Sequence, residues 1–287
     1  MHPRFRDRLI DTPAVSTRSQ VVSSQSAKRC RVGMFKLSLA TLLFSTVLPL
    51  AAQAQNPASS APAQLTTLLT QMDAATNARN VTTVVDLYGS NFSSSDGLNR
   101  QNLQQSLSSL WKRYPKLNYQ TELKSWKNES NGIVANTVTR ITGTFQEGDR
   151  EYKLDSTLES RQRIENQKVV RQEIVNERSQ ITSGSNPPTL KLNVPNQVNR
   201  GQNFSFDAIV QEPLGDDLLL GAALEETIKP SGYLNATTVD LEPLNSGGIF
   251  KVGKAPTNSE QHWLSAVVVR HDGITMVTQR LRIVGNN

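Results

Sequence analysis

The sequence contains one cysteine, Cys30, among its 287 residues. Cys30 precedes the apolar run at residues 37–52, so it cannot be the lipid-bearing cysteine of a lipoprotein. Residues 55–287 contain no thiol, which excludes disulfide frameworks, zinc–thiolate sites and thiol nucleophiles in that part of the chain. Burial of apolar side chains has to stabilise it, and its length is sufficient for two ordinary domains.

An excess of one charge sign is also missing beyond residue 54. The chain carries a formal charge of +6. Residues 1–54 hold eight Lys or Arg and two Asp or Glu, which accounts for that whole excess, and residues 55–287 are balanced. A balanced chain offers no electrostatic basis for binding phosphate backbones, so we expect no nucleic-acid partner.

Histidine and the common catalytic motifs are scarce. The three histidines are His2, His262 and His271, and none falls within residues 64–182. A His–Asp or His–metal arrangement is therefore excluded in that segment. The sequence has no glycine-rich phosphate loop, no nucleophile elbow and no HExxH motif. We expect neither a cofactor nor a metal site.

Residues 34–54, MFKLSLATLLFSTVLPLAAQA, have the pattern of a signal peptide. Lys36 precedes an apolar run that is shorter than the ~18–20 residues of a membrane span, and Ala52 and Ala54 have cleavage-site spacing. We expect export to the periplasm or extracellular space, with membrane contact only through this transient segment. A bipartite leader that directs the chain to a plastid lumen is the alternative.

Residues 1–33 are rich in Arg and Ser and have no apolar periodicity. We interpret them as a non-native or disordered extension ahead of an initiator at Met34. The polar stretch 55–63 reads as a linker.

Three amphipathic helices are predicted after this linker, followed by four strands. Asn80 and Asn99 can cap the second and third helices, and Pro115 ends the third. The period then changes from 3.6 to 2 in a four-stranded meander, with a turn at Asn166–Gln167 and a bulge in the last strand. The helical stripes are Leu65, Leu68, Leu69 and Met72; Val81, Val84, Val85 and Tyr88; and Leu103, Leu107, Leu110, Trp111 and Tyr114.

The order of three helices and a meander, with the passage VVDLYGSNFSSSDGLNRQNLQQSL, resembles the NTF2-like superfamily of SnoaL-type and ketosteroid isomerase cones. The resemblance covers residues 64–182 and implies an α+β cone of three helices on a curved antiparallel sheet. It also implies a pocket for a small apolar ligand, or a homodimer formed through the sheet.

Residues 183–188, SGSNPP, indicate a boundary, and residues 189–287 alternate as short strands between turns. His271-Asp272-Gly273 is a hairpin signal. About seven short strands in such a length predict an all-β immunoglobulin-like sandwich without the usual cysteines. The combined architecture resembles that of secreted bacterial, cyanobacterial-type proteins.

Carboxylates are the remaining candidates for catalysis in residues 64–182. Asp86 or Asp73 could be a buried base with Tyr88 as hydrogen-bond donor, as in a cofactor-free lyase or isomerase. Both aspartates fall off the apolar stripes, however, which favours a position in solvent.

The candidate pocket residues are mainly aromatic, and packing in the core is the ordinary alternative for them. Arg140 could reach an anionic ligand or lie solvated at a rim. We expect binding rather than turnover, with the sandwich presented to a protein or envelope partner. The pocket candidates are Tyr88, Trp111, Tyr114, Trp126, Arg140 and Tyr152.

Overall fold

A computed structural model of the chain describes residues 55–213, 215, 217–233, 238–244, 247–258 and 260–285. The predicted leader at residues 34–54 and the extension at residues 1–33 lie outside these residues. These described residues belong to one compact unit.

The three predicted helices are confirmed, but the second ends at Asp86, so Tyr88, which the sequence places on its apolar stripe, lies in a strand. Apolar stripes bury one side of each helix, and side-chain caps set two of the starts. The Asn80 side chain accepts the backbone N–H of Thr83, and Asn99 and Asn102 form a reciprocal capping box. The helices are α1 (Ala63–Asn77), α2 (Val81–Asp86) and α3 (Arg100–Arg113).

Strands make up most of the remaining described chain. They are β1 (Asn56–Pro57), β2 (Tyr88–Ser94), β3 (Lys116–Glu129), β4 (Gly132–Glu147), β5 (Arg150–Glu165), β6 (Lys168–Gly184), β7 (Leu190–Asn193), β8 (Gln197–Asn199), β9 (Asn203–Val210), β10 (Leu220–Thr227), β11 (Glu242–Pro243), β12 (Gly248–Lys254), β13 (His262–Arg270) and β14 (Gly273–Val284).

The predicted meander is confirmed as β3–β4–β5–β6, each antiparallel to the next. Asn166 and Gln167 turn the chain between β5 and β6 with left-handed φ values of 49° and 58°. Such backbone reverses direction with a twist that suits two antiparallel strands. The predicted bulge is also present, because the β5–β6 register shifts at two positions.

The last strand of the meander, β6, pairs with a strand from the second half of the chain, the part that follows residue 184. Its residues pair antiparallel with β14, from Arg178 opposite Gln279 to Gly184 opposite Gly273. The sheet therefore runs β1–β3–β4–β5–β6–β14–β13–β10–β11, with β2 beside β6 and β8 beside β14, eleven described strands in all.

This sheet corrects the predicted fold class. The expected α+β NTF2-like cone, with three helices on its own curved sheet, is wrong, because the structure is predominantly β and its main sheet spans both halves of the chain. Ser183 and Gly184, which the sequence places in a linker, are the final residues of β6 and pair with β14. Local periodicity identifies a strand but not a distant strand that pairs with it.

The second half is all-β, as predicted. A three-stranded antiparallel sheet, β12–β9–β7, packs against the part of the main sheet formed by β13 and β14. The predicted hairpin is confirmed, since His271 and Asp272 join β13 to β14. The core between the sheets includes Leu192, Phe204, Phe206, Ala208, Leu219, Ile249, Leu264, Ala266, Val268, Val277 and Leu281.

The two cores lie on opposite faces of the main sheet. Tyr119, in the core beneath the helices, shares a cross-strand row with Ile141 and Thr278. Val277, in the core of the second half, is the neighbour of Thr278 and so points to the other face. The helices thus cover one face of the sheet and the three-stranded sheet covers the other.

Candidate functional site

The predicted catalytic carboxylates are engaged in structural contacts. Asp86 ends α2 with its side chain 62% exposed, and Arg100 donates to it at 2.6 Å. Asp73, half-buried on α1, accepts the backbone N–H of Thr121 at 2.8 Å and so attaches the helix to β3. Asp86 is therefore part of a surface ion pair, and Asp73 joins two elements.

Tyr88, the predicted hydrogen-bond donor, lies in the core. Its ring packs edge-on against Phe92, with 4.6 Å between centroids, and its hydroxyl is 4.0 Å from the Met72 sulfur. Burial raises the pKa of Tyr88 to about 12. The structure therefore separates Tyr88 in the core from Asp86 at the surface.

The predicted pocket aromatics pack against one another or against core side chains. The Trp111 indole N–H donates to the Tyr119 hydroxyl at 2.9 Å. Phe145 lies between Tyr114 and Tyr152, at centroid distances of 4.5 Å and 5.1 Å. These contacts fill space between α3 and the sheet.

Trp126 and Arg140 are apart from that group. Trp126 is buried, and its indole N–H donates to the Ser60 hydroxyl at 3.3 Å. Arg140 is 60% exposed and forms a two-point ion pair with Asp155 on the neighbouring strand. Arg140 is therefore a solvated surface arginine, which was the alternative to an arginine that reaches an anionic ligand.

A cavity of about 310 Å³ lies where the start of α1 meets two hairpin turns. Gln64 and Leu65 line it together with residues 131–133, Ile164, Asn166 and Gln167. None of the predicted site residues lines this cavity. The described part of the chain also has no group of three or more His, Cys, Asp or Glu side chains that could hold a metal ion.

A buried charged cluster joins the two halves of the chain, and the sequence-based predictions missed it. Arg280 on β14 is 1% exposed and donates to both carboxylate oxygens of Asp96, each at 2.9 Å. Arg280 also donates to Glu177 on β6 at 3.0 Å. Tyr233 donates to Asp96 at 2.6 Å, and Trp263 donates to Glu177 at 3.0 Å. We call these five residues the Arg280 cluster.

The surroundings of the Arg280 cluster favour the charged form of Arg280 and the protonated form of Tyr233. Burial opposes the charge on Arg280, but the hydrogen bonds to Asp96 and the charges of Glu177 and Asp96 outweigh that cost and raise the pKa of Arg280. Burial, with the charges of Asp96 and Glu177, raises the pKa of the Tyr233 hydroxyl. Paired and hydrogen-bonded buried charges fix geometry, so the cluster holds the loop before α3 against the second half.

Exposed apolar side chains mark a different surface. Among the described residues, the large hydrophobic side chains that are exposed all lie between positions 218 and 252, in the second half. They are Leu218, Leu241, Phe250 and Val252, with exposures of 69%, 39%, 54% and 46%.

Two of these side chains, Phe250 and Val252, lie on β12, an edge strand. Within the described structure β12 pairs with β9 alone. Ile249 points into the core, and Phe250 and Val252 point outward by the alternation of a strand. We call the outer surface formed by Phe250 and Val252, together with the unpaired backbone edge of β12, the β12 edge.

Comparisons with known proteins match parts of the chain. Residues 185–284 match the model of a family described as a domain of unknown function, DUF8623. The chain has no significant match among curated proteins.

Similar solved structures include that of Bdellovibrio bacteriovorus Bd1075, at 12% identity and a TM-score of 0.28, which covers 38% of this chain and 39% of that one. The crystal structure of an IdmH 96-104 loop truncation variant has the same identity, TM-score and share of this chain, and 88% of that chain is covered. Likenesses this distant bear on neither the fold nor the function.

Among the residues that the structure describes, no helix combines the length and apolar character needed to cross a bilayer.

Proposed function

We propose that the chain is an exported, non-catalytic interaction protein that binds a protein partner through the β12 edge. The observation that carries this proposal is the concentration of exposed large apolar side chains in the second half, two of them on an edge strand. Aromatic and aliphatic side chains of this kind are the usual anchors of protein interfaces. Export rests on the pattern of residues 34–54.

In this proposal the second half is an immunoglobulin-like sandwich. Two facing sheets around a shared apolar core support it, as does the hairpin between β13 and β14. Sandwiches of this class commonly present loops and strand edges to partners. The first half would then serve as a rigid base, attached through β6 and the Arg280 cluster.

The described contacts favour binding over a cofactor-free lyase or isomerase. A proton-abstracting carboxylate needs a substrate within hydrogen-bond reach and an environment that tunes its pKa. Asp86 is exposed and paired with Arg100, and Asp73 is hydrogen-bonded to the backbone of Thr121.

A photo-crosslinking amino acid at position 250 tests the proposed function. The matched control places the same amino acid at Gln120, an exposed position on β3. In the native host we expect a discrete conjugate with one protein from position 250 and none from position 120. The identified protein, once purified, should bind the chain, and Phe250→Asp should weaken binding by about tenfold or more. Equal labelling from both positions, or none from position 250, would contradict the proposal.

A further inference from the structure

The backbone N–H and C=O groups of every second residue in β12 point away from β9. The N–H of Val210 donates to the carbonyl of Gly247, and the N–H of Ala255 donates to the carbonyl of Gln202. In an antiparallel pair, residues alternate between those bonded to the partner strand and those that point away. Positions 249, 251 and 253 therefore bond to β9.

Phe250, Val252 and Lys254 consequently present their backbone N–H and C=O groups outward. The register with β9 is continuous from Gly248 to Lys254, so no bulge interrupts this edge. The strand also lacks proline. Proline and bulges are common means by which proteins block pairing at an exposed edge. The outward positions thus form a template for one more strand.

The charges on β12 select what can pair there. The strand carries Lys251 and Lys254, both exposed, and no acidic residue. Across the sheet, β9 places a single carboxylate, Asp207, opposite Phe250. Opposite charges on neighbouring strands stabilise a pair, and like charges destabilise it.

We propose that the β12 edge accepts an extended, acidic segment of a partner protein as an added strand. Main-chain hydrogen bonds to Phe250 and Val252 supply the pairing, the exposed side chains of these two residues supply apolar contact, and Lys251 and Lys254 select carboxylates. This inference rests on the proposed function and specifies the kind of partner.

A second copy of the chain fits the β12 edge less well. Two β12 strands side by side would bring four lysines, Lys251 and Lys254 from each copy, onto one short ribbon. Repulsion between these charges disfavours self-pairing, which is the usual effect of lysine on an edge strand. The same lysines attract an acidic segment.

The test selects a library of random twelve-residue peptides against the full chain. Val252→Pro is the blocking variant, because it removes one outward N–H and leaves the bonds to β9 in place. Val252→Thr is the matched control, since it keeps the N–H and a β-branched side chain. Lys251→Glu combined with Lys254→Glu is a second variant, whose changes are both at exposed positions.

We expect the selected peptides to be rich in Asp and Glu. Val252→Pro and the double charge reversal should each weaken binding by about tenfold, while Val252→Thr should keep it within about twofold. Enrichment without acidic residues, no enrichment, or binding unchanged in Val252→Pro and in the charge reversal would overturn the inference. So would a dimer in size-exclusion chromatography that Val252→Pro abolishes.

Failure of the inference is distinguishable from failure of the proposed function. If position 250 crosslinks a partner and Val252→Pro still binds that partner, the surface is right and strand addition is wrong. If position 250 captures nothing, the proposed function itself is wrong.

Discussion

Arg280 illustrates how a single buried charge determines the arrangement of distant segments. Its partners Asp96 and Glu177 lie 184 and 103 positions away in the chain. No local pattern in the sequence signals these contacts, because an arginine on a strand and an aspartate in a polar loop are ordinary surface residues. Only the three-dimensional arrangement shows that Arg280 is needed to neutralise them.

Replacing Arg280 by methionine should destabilise the protein strongly. The change leaves the carboxylates of Asp96 and Glu177 buried without their cation, which costs about 3–5 kcal/mol in comparable buried pairs. The measurement is the free energy of unfolding in urea, monitored by tryptophan fluorescence.

Arg140→Met is the matched control for Arg280→Met. Arg140 also makes a two-point ion pair with an aspartate, but the pair with Asp155 is exposed. Solvent already screens an exposed pair, so the control should unfold at nearly the same urea concentration as the parent. Equal effects of the two substitutions would show that the Arg280 cluster is not buried.

Tyr88 makes the stability of the folded protein depend on pH in the alkaline range. Its pKa is raised by burial from the ordinary value of 10.0 to about 12. A raised pKa means that the folded state favours the protonated phenol. The contribution of Tyr88 to the free energy of unfolding is therefore complete below pH 10 and is lost as pH rises toward 12. Two pKa units correspond to about 2–3 kcal/mol.

Tyr88→Phe should therefore lose less stability between pH 9 and pH 11.5 than the parent protein does. The hydroxyl has only a weak contact with Met72, so the variant should fold normally at neutral pH. Urea unfolding at the two pH values measures the difference. An identical loss in both proteins would show that the pKa of Tyr88 is not raised in the folded state, leaving Tyr114, Tyr119 and Tyr233, whose pKa values are also raised, as the source.

At the scale of elements, most of the first half was predictable because its signals are local. The apolar stripe of α1, the caps at Asn80 and Asn99, and the turn at Asn166–Gln167 each depend on residues a few positions apart. The alternation of β3 to β6 likewise identifies strands and their order. The helical and strand periods of the sequence indicate which side chains of an element are buried. In this half, the elements that bury them are neighbours in the chain.

Partners that are distant in sequence were not predictable from the same signals. The pairing of β6 with β14 joins Arg178 to Gln279, and nothing in the pattern of either strand specifies the other. The site residues show the same limit. Periodicity places Tyr88 and Trp111 on buried faces, but it cannot show whether the faces enclose a pocket or only pack together.

At the scale of the whole molecule, the main sheet connects the half of the chain that carries the helices to the half that carries the β12 edge. The helices cover one face of the main sheet and β12–β9–β7 cover the other, so both halves of the chain pack against the same sheet. The Arg280 cluster adds a second connection between the halves. In the proposed function, these connections hold the β12 edge in a fixed orientation, which lowers the ordering cost of binding.

Residue-resolved amide hydrogen exchange of the free protein tests this account most directly. Amides of residues 178–184 lie between β5 and β14 and should exchange as slowly as those in the centre of the meander. On β12, the amides of Ile249 and Lys251 should be protected, and those of Phe250 and Val252 should exchange rapidly. Rapid exchange along residues 178–184, or slow exchange at Phe250 and Val252, would contradict the shared sheet or the open edge, respectively.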